Sequence, residues 1–256
     1  MPGSDSITVL VPALNEETGL AEAVTTMTAA LADSFSEYEI LIFDDGSTDA
    51  TGRIADELAA ANPAVTAIHH KTPHGLGGVI REGWQRARMQ SVMWVDGQGV
   101  TSREALDRIF AERGKADLIV PYASNQHERA LLRRIIARMF VGWMNFVFRL
   151  DLHQYTHLVV CPSAIARGLR LRSSSHALQA EALVKMIKSG CSYVQVGVED
   201  RFNLPGRRSK AFKIANVIGV VSAMLLTVWD VYAGRDYLKS ASGQPAVGSR
   251  HRTRVL

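Results

Sequence analysis

The chain has 256 residues, 47% of them hydrophobic and 21% charged, with a formal net charge of +4 at pH 7. This composition is typical of a globular protein with one large domain or two small ones. The mildly basic balance suits an anionic small molecule or a membrane surface and is too weak to indicate a nucleic-acid partner. The two cysteines, Cys161 and Cys191, lack metal-ligand spacing and predict a reducing compartment without a disulfide framework.

Strands and helices are predicted to alternate along the first half of the chain. Short apolar runs predict buried strands at 7–11, 38–43, 65–69, 92–96 and 117–121. Helices are predicted from an N-cap at Asn15 to about Leu31, from 50 to 61, after Gly75, and from an N-cap at Ser102 to Glu112. Because the links are short, this order predicts a mostly parallel, three-layer α/β sheet.

Acidic residues follow two of these strands. Asp44 and Asp45 end the second strand, and Asp96 ends the fourth. An Asp pair can simply mark a turn, but turn chemistry does not explain acids at two strand ends. Ligands bind at the carboxyl ends of strands in open α/β sheets. Carboxylate and phosphate oxygens are ligands for hard cations, so the sequence predicts a site there for a divalent cation with a nucleotide.

A glycine-rich segment, Gly75 to Gly83, follows the third strand. Its glycines would let backbone N–H groups approach a phosphate at the start of a helix, although the spacing is not that of the dinucleotide fingerprint. His69, His70 and His74 flank the segment without metal-ligand spacing on any predicted element. We therefore predict that these histidines are solvated loop residues.

The second half of the chain contains two unusual helical stretches. Arg129 to Phe148 alternates basic and bulky apolar residues, which predicts either a basic amphipathic helix at a membrane surface or an ordinary core-facing helix. Ile214 to Trp229 is apolar but, at about 16 residues, shorter than the roughly 20 that span a bilayer. It is predicted to pack on the domain or to lie in an interface.

Further strands are predicted at 157–161 and 193–198, with a helix at 177–188 between them. The charged stretch 199–210 is predicted to be an anion clamp or a solvated loop. Residues 236–256 are predicted to form a disordered basic tail.

Several segments together resemble the family-2 glycosyltransferases, in particular the dolichol-phosphate mannose synthase-like and polyprenyl-phosphate sugar transferase branch. Residues 11–17 read VPALNEE, 44–51 read DDGSTDAT, 74–83 read HGLGGVIREG and 96–104 read DGQGVTSRE. Later, 179–181 (QAE) and the stretch 201–210 are similar to an acceptor-side glutamate and an Arg-Ser-Lys loop of that family. The resemblance covers about residues 7–235.

The resemblance implies a GT-A fold, with a Rossmann-like nucleotide-sugar half (about 1–122) and an acceptor half (about 123–235) in a single domain, 1–235. It implies an inverting transfer from a UDP- or GDP-linked sugar to an acceptor, here a polyprenyl or dolichyl phosphate, with Mg²⁺ or Mn²⁺ as the cation. A lipid acceptor and the basic amphipathic stretch predict peripheral membrane association. With no secretory signal at the N-terminus, we expect a cytoplasmic protein at the inner face of the membrane.

The resemblance also implies roles for individual residues. The implied donor-binding residues are Pro12, Ala13, Glu16, Asp44, Asp45, Gly75, Gly78, Arg81, Asp96 and Gly97. The implied acceptor-binding residues are Arg133, Arg134, Glu181, Arg201, Arg208, Ser209 and Lys210. Asp96, Arg201, Arg208 and Lys210 are the implied catalytic residues, and Asp96 and Gln98 the implied metal ligands.

Four positions or segments depart from the family pattern, one of them Tyr155–Thr156, which stands where the family has a Gly-Phe pair. Gln98 replaces the second acid of the D-x-D motif, Leu14 replaces an aromatic residue, and Pro121–Ala123 replaces a segment with an acceptor arginine. An amide holds a cation less strongly than a carboxylate, so we expect weak cation binding. The alternative is a non-catalytic nucleotide-sugar-binding relative with a degenerate metal site. A soluble transferase with another acceptor, or a nucleotidyltransferase, is a third possibility.

Overall fold

A computed structural model of the chain describes residues 5–173, 177–201, 214–233 and 253–255. The strands are β1 (Ser6–Ala13), β2 (Glu37–Asp44), β3 (Val65–His69), β4 (Ser91–Trp94), β5 (Leu118–Ala123), β6 (Cys161–Pro162), β7 (Tyr193–Val198) and β8 (Thr253–Val255). The helices are α1 (Leu20–Ser34), α2 (Thr51–Ala61), α3 (Gly75–Arg86), α4 (Arg103–Phe110), α5 (Leu131–Phe148), α6 (Ser163–Gly168), α7 (Ala177–Lys188) and α8 (Ile214–Tyr232), with a 3-10 turn at Gln126–Glu128.

The strands form a five-stranded sheet in the order β3-β2-β1-β4-β6 and a three-stranded sheet in the order β5-β7-β8. All pairs are parallel except β4 with β6. The two sheets meet where Ile119 and Val160 exchange backbone hydrogen bonds of 3.0 and 3.1 Å. The predicted mostly parallel α/β architecture is therefore confirmed, with one antiparallel strand that the sequence did not indicate.

Helices cover both faces of the five-stranded sheet because its central strand is apolar on both faces. Ile7, Val9 and Val11 of β1 pack in one core cluster with α1 and α4, while Leu10 packs in the other with α3 and α7. Helix α3 approaches β1 closely, since a Cβ atom on Gly83 would lie 2.5 Å from Leu10 Cδ1. These two layers of helices make the three-layer arrangement that the sequence predicts.

The helix boundaries agree with the sequence except at the first helix. The Ser102 side chain caps α4 by accepting a hydrogen bond from the Ala105 N–H at 3.2 Å, as predicted. Asn15 does not cap α1, which begins at Leu20 after Gly19. Asn15 instead has a left-handed backbone (φ 57°), a conformation that asparagine tolerates better than most residues. The prediction for Asn15 was therefore wrong.

Two helices expose much of their apolar surface. On α5 only Met144 and Phe148 are buried, and among the side chains of α8 that the structure describes, from 223 onward, Ala223, Met224, Thr227 and Asp230 are. Helix α8 packs against α7, so the packed arrangement predicted for 214–229 is confirmed. Short strand β8 lies within the predicted disordered tail and pairs with β7, so its three residues differ from that expectation.

Candidate functional site

The predicted donor residues lie at the carboxyl ends of β1, β2 and β4, which are neighbours in the sheet. The Asp45 N–H donates to Ala13 O at 2.8 Å, so the ends of β1 and β2 are joined. A Cβ on Gly97 would lie 3.4 Å from Pro12 O, which shows how closely the loop after β4 approaches β1. Pro12, Ala13, Asp45, Asp96 and Gly97 therefore lie along one edge of the sheet, as expected.

The loop after β1 is bonded to the turn after β2. Thr48 N–H donates to Asn15 Oδ1 at 2.9 Å, and Asn15 N–H donates to Ser47 Oγ at 3.0 Å. Glu16 N–H donates to Thr51 Oγ1 at 2.8 Å. The hydroxyls that follow the Asp pair thus hold the first loop rather than cap α2, whose N-cap residue Ala50 has no side-chain hydrogen bond.

Asp44 points into this turn. Its carboxylate accepts from Ser47 N–H at 3.0 Å and faces His69 Nδ1 at 3.1 Å. Burial acts to raise the pKa of Asp44, but the hydrogen bonds from Ser47 and His69 outweigh it and lower the pKa below its usual value. Hydrogen bonds to Asp44 and Asp56 raise the pKa of His69. In this arrangement Asp44 supports the turn, and the donor-contact role implied for it stays a prediction.

Asp45 organises the start of α3. Its two carboxylate oxygens accept the backbone N–H groups of His74 and Gly75, each at 2.8 Å. Gly75 has a positive φ of 72°, which glycine adopts without strain. The glycine segment is thereby fixed beside the strand end, and the nearby Gly78 lies so close to His74 that a Cβ would be 2.8 Å from the His74 Cβ.

The histidines at this turn do not behave as one solvated group. The His70 side chain is only 6% exposed, and its Nδ1 lies 2.7 Å from Asp45 Oδ1. Its Nε2 lies 3.0 Å from Glu82 Oε2. The prediction of a solvated loop residue is wrong for His70, because the start of α3 folds back over Asp45 and covers the ring. His69 and His74 stay about half exposed.

The loop after β4 brings Gln98 against Glu16. The Gln98 N–H donates to Asp96 Oδ1 at 3.1 Å, and its side-chain Nε2 donates to Glu16 Oε1 at 2.6 Å. A Cβ on Gly19 would lie 2.9 Å from Gln98 O, so α1 also packs closely on this loop. Sequence reasoning did not foresee the contact between Gln98 and Glu16, which are 82 positions apart.

The donor set at this loop fits a divalent cation that shares its coordination with a bound diphosphate. Asp96 belongs to no three-ligand cluster of histidine, cysteine or acid side chains among the described residues. It supplies a carboxylate, and Gln98 carries an amide oxygen. Mg²⁺ is commonly held by one or two carboxylates, with phosphates and water in the remaining positions. The cation-ligand role implied for Asp96 and Gln98 stays a prediction.

Arg81 of α3 is bonded to the backbone of the segment before α7. Its guanidinium donates to Ser173 O at 2.8 Å and to Leu171 O at 3.3 Å. The same segment is held from the other side by Glu181, whose carboxylate accepts Arg172 N–H and Ser173 N–H, each at 2.9 Å. Arg81 and Glu181 are thus joined through residues 171–173, a link that the sequence does not indicate.

Glu181 lies inside the protein rather than at an acceptor surface. Only 1% of its side chain is exposed, and it is paired with Lys185 Nζ at 2.7 Å. Lys185 Nζ also lies 3.0 Å from Asp230 of α8. Burial acts to raise the pKa of Asp230, but hydrogen bonds and charge from Lys185 and Arg172 outweigh it and lower that pKa. In this arrangement Glu181 positions a segment, and a direct acceptor contact by Glu181 stays a prediction.

Arg201 lies beside the loop that carries Gln98. Its N–H donates to Val100 O at 3.1 Å, and its guanidinium contacts Glu22 Oε1 at 3.1 Å. The preceding Asp200 is buried, and His157 Nε2 lies 3.2 Å from its carboxylate. Neither Asp200 nor His157 was predicted as a site residue. The sequence signal that could have indicated this pair is their position, because His157 begins one predicted strand and Asp200 follows the end of another.

Two of the other predicted acceptor residues lie on α5, and the remaining three lie outside the described residues. Arg133 and Arg134 lie on the first turn of α5 and are partly buried. Arg129, just before α5, comes to 4.0 Å from Asp200, so the basic start of this helix lies near Arg201. Arg208, Ser209 and Lys210 lie outside the described residues.

Exposed apolar side chains concentrate on α5 and α8. The ends of the two helices meet, since the Phe148 and Tyr232 rings stack with centroids 6.4 Å apart. The exposed apolar residues of α5 are Leu131, Leu132, Ile135, Ile136, Met139, Trp143 and Phe146, and those of α8 are Leu225, Leu226, Trp229 and Tyr232. We call these residues the apolar face. In the part of the chain that the structure describes, no helix combines the length and apolarity needed to cross a bilayer.

Comparison with known proteins identifies the family. Residues 8–173 match the model of glycosyl transferase family 2, so the chain belongs to this family. It is 32% identical over 117 residues to an undecaprenyl-phosphate mannosyltransferase of Micrococcus luteus, a match that covers 44% of this chain and 46% of that protein. It is 36% identical over 117 residues to a polyprenol monophosphomannose synthase of Mycolicibacterium smegmatis, covering 44% and 43%. The matches thus span less than half the length of these relatives.

Solved structures support the fold. Glucosyl-3-phosphoglycerate synthase from Mycobacterium tuberculosis, in complex with Mg²⁺ and uridine diphosphate, superposes with a TM-score of 0.64 at 14% identity, covering 88% of this chain and 79% of that one. The same enzyme with Mn²⁺, UDP-glucose and phosphoglyceric acid superposes with a TM-score of 0.63 at 14% identity, covering 88% and 80%. The GT-A-like fold expected from the sequence is confirmed.

Proposed function

We propose that this chain is an inverting glycosyltransferase that transfers a sugar from a UDP- or GDP-linked donor to a polyprenyl or dolichyl phosphate at a membrane surface. The observation that carries the proposal is that Asp45 and Asp96, each within a family motif, follow β2 and β4 on either side of β1, at one edge of the sheet beside a glycine-rich helix start. The names of the two bacterial relatives support a polyprenyl phosphate as the acceptor.

On the donor side, Pro12, Ala13, Glu16 and Asp45 would hold the nucleoside. Asp45 is suited to this because its carboxylate is fixed by two backbone N–H groups of 2.8 Å, so it loses little freedom when a ligand binds. Gly75 leaves the start of α3 open to close approach, whereas Gly78 makes room for the His74 side chain. Arg81 would lie at the donor's border, already oriented by its bonds to residues 171–173.

Asp96 and Gln98 would hold the divalent cation, Mg²⁺ or Mn²⁺, against the donor diphosphate. When bound, the cation neutralises negative charge on the departing diphosphate. The chain's own contribution is to fix the loop: Gln98 N–H bonds Asp96, and Glu16 accepts the Gln98 amide. Because Gln98 offers a neutral oxygen, we propose that the cation is weakly bound without nucleotide.

The acceptor phosphate needs no general base, because its oxygen is already anionic. That oxygen would attack the anomeric carbon from the face opposite the diphosphate. The new carbon–oxygen bond forms as the bond to the diphosphate breaks, and the bonding electron pair leaves with the nucleoside diphosphate. Arg201, Arg133 and Arg134, with Arg208, Ser209 and Lys210, would orient the phosphate through charge-assisted hydrogen bonds.

The apolar face supports a membrane location for this reaction. Met139 and Phe146 are 69% and 85% exposed, and an apolar surface of this kind next to basic residues is typical of helices that lie in a bilayer interface. The cations of α5 would attract anionic lipid head groups. We therefore propose peripheral association through α5 and α8, at the cytoplasmic leaflet.

The proposal is tested by measuring nucleoside diphosphate release from a panel of UDP- and GDP-sugars with polyprenyl phosphate and Mn²⁺. We expect release with at least one donor that depends on both the acceptor and the cation. Asp96→Asn should abolish it. Asp107→Asn, which removes an exposed carboxylate of α4 that pairs with Arg103, is the matched control and should retain it. Release that continues in chelator would refute the cation assignment.

The membrane part has its own test. Flotation with anionic vesicles at low salt should carry the chain upward, and Met139→Glu together with Phe146→Glu should reduce the bound fraction by about tenfold or more, since each change puts a charge into the apolar face. Glu57→Gln on exposed α2 is the control. A chain that stays unbound at low salt would make a lipid acceptor untenable.

The second candidate is a non-catalytic relative that binds nucleotide-sugars. The observation that favours it is Gln98, which puts a neutral amide where the D-x-D motif has its second acid. Calorimetry separates the two functions. Donor binding without release for any donor and acceptor supports the non-catalytic relative, and release supports the transferase.

A further inference from the structure

His70 lies between two carboxylates that face both of its ring nitrogens. Asp45 Oδ1 is 2.7 Å from Nδ1, and Glu82 Oε2 is 3.0 Å from Nε2. A neutral imidazole carries a single N–H and can donate to only one of these acceptors. Both ring nitrogens of His70 thus face carboxylate oxygens at hydrogen-bonding distance.

A second imidazole lies directly beside the first. The His74 ring stacks on the His70 ring with centroids 3.9 Å apart and an interplanar angle of 25°. His74 Nδ1 lies 3.7 Å from Glu82 Oε2. Ligand atoms of Asp45, His70 and His74 all lie within 4.8 Å of one another.

The side chains of two members of the cluster, Asp45 and His70, are buried and fixed, and those of the other two, His74 and Glu82, are accessible to solvent. The Asp45 and His70 side chains are each 6% exposed, and Asp45 is held by backbone N–H groups of His74 and Gly75. Oriented ligands of this kind favour metal binding. The side chains of His74 and Glu82 are 48% and 26% exposed, which leaves a path for an ion. A tetrahedral zinc holds its ligand atoms about 3.3 Å apart, so binding requires the half-exposed His74 ring to leave its stacked position and turn a nitrogen toward the ion.

We infer that Asp45, His70 and His74, with Glu82 beside them, form a transition-metal site of the Zn²⁺ class. Two imidazoles and carboxylates suit Zn²⁺, whereas Mg²⁺ prefers oxygen ligands alone. This site is separate from the cation position at Asp96 and Gln98. A metal at Asp45 occupies the carboxylate that would hold the nucleoside, so the metal inhibits donor binding. The inhibition rests on the proposed function, whereas metal binding itself does not.

Metal binding is tested on chelator-treated full-length chain by Zn²⁺ calorimetry and by Co²⁺ absorption in the visible range. We expect Zn²⁺ binding with release of protons, because metal ligands must be deprotonated, and no displacement by excess Mg²⁺. His70→Gln and His74→Gln should each weaken Zn²⁺ binding by about tenfold or more. Circular dichroism checks that both variants fold, and the half-exposed His74 is the safer of the two.

His69→Gln is the matched control, since His69 is the adjacent histidine but bonds Asp44 and Asp56 outside the cluster. It should bind Zn²⁺ like the wild type. The inference is overturned if the wild type binds no Zn²⁺, if His74→Gln binds it equally well, or if His69→Gln loses as much affinity as His70→Gln.

The inhibition is tested by nucleotide calorimetry with and without Zn²⁺, using UDP and GDP in the absence of Mn²⁺. Zn²⁺ should weaken binding of the nucleotide in the wild type and leave it unchanged in His74→Gln. Independent binding of Zn²⁺ and nucleotide would overturn the inhibition. If neither nucleotide binds, the proposed function fails, and the Co²⁺ spectrum and Zn²⁺ affinities still decide the metal site.

Discussion

Replacing Lys185 tests how the structure holds α7, α8 and the segment before α7 together. Lys185 is fully buried, and its ammonium group contacts Glu181 at 2.7 Å, Asp230 at 3.0 Å and Arg170 O at 2.9 Å. Lys185→Met keeps a side chain of similar length and removes the charge. Two carboxylates then lose a buried cation. The cost depends on what each carboxylate retains.

Asp230 retains Arg172, whose guanidinium donates to it at 2.7 and 3.0 Å. Glu181 retains the two backbone N–H groups of Arg172 and Ser173 but no side-chain cation among its described partners. The change therefore leaves one buried carboxylate without a counter-charge. Breaking a buried pair in this way costs about 3–5 kcal/mol, and the retained N–H groups favour the lower end, about 3 kcal/mol. That is a large part of the roughly 5–15 kcal/mol by which domains are stable.

Urea unfolding followed by circular dichroism at neutral pH measures the loss. Lys188→Met, one turn along the same helix and only partly buried, is the control and should cost less than about 1 kcal/mol. If Lys185→Met also costs less than about 1 kcal/mol, the pair does not behave as a buried ion pair, and the view of Glu181 as a positioning residue would have to be abandoned.

Three further predictions follow from contacts elsewhere. Gly83→Ala should lower the free energy of unfolding by about 1–3 kcal/mol, because its Cβ would lie 2.5 Å from Leu10 Cδ1, whereas Gly142→Ala on open α5 should not destabilise, and equal effects in urea unfolding would refute the close packing. His69→Gln should cost less than about 1 kcal/mol near pH 5.5 and nothing near pH 9, since the raised pKa of His69 gives stability that is present below 6.5 and lost as pH rises through the folded-state value. At low pH the stabilisation by this pairing ends where Asp44 becomes protonated, which its lowered pKa moves to more acidic pH. A cost of His69→Gln that persists at high pH in urea unfolding would contradict the pairing. Gln98→Asp should tighten Mn²⁺ binding in calorimetry by about tenfold, while Gln98→Ala, which removes the amide oxygen together with the bond to Glu16, should not; equal affinities would argue against a cation at this position.

The sequence predicts the sheet well because its signals are local. Apolar runs joined by short links define the strands, and acids at the ends of β2 and β4 lie at one edge of a parallel sheet by geometry alone. The same logic fails where a side chain finds its partner across the fold. His70 looks like a loop residue until the start of α3 folds over Asp45, and Asn15 looks like a helix cap until the turn at 47–48 binds it.

The buried ion pairs are a second case in which the sequence does not show which residues come into contact. Lys185 and Asp230 are 45 positions apart, and no pattern in either helix pairs them. A signal did exist, because a charged residue near the end of the apolar stretch 214–232 needs a partner if the helix packs on the domain. That signal predicts that a partner is present but not which residue it is, since the choice depends on how α8 lies against α7.

The contact between Gln98 and Glu16 bears directly on whether the altered motif still supports transfer. An amide bonded through its nitrogen to Glu16 must turn its oxygen away from that carboxylate, toward another part of the loop. The same bond brings the Glu16 carboxylate to the loop of Asp96, at 2.6 Å from the Gln98 nitrogen. Negative charge that the motif loses at position 98 is therefore partly supplied by Glu16 from the first loop. On this reasoning Gln98 weakens the cation's hold without removing the acidic environment that a diphosphate-bound cation requires, which favours the transferase over the non-catalytic relative.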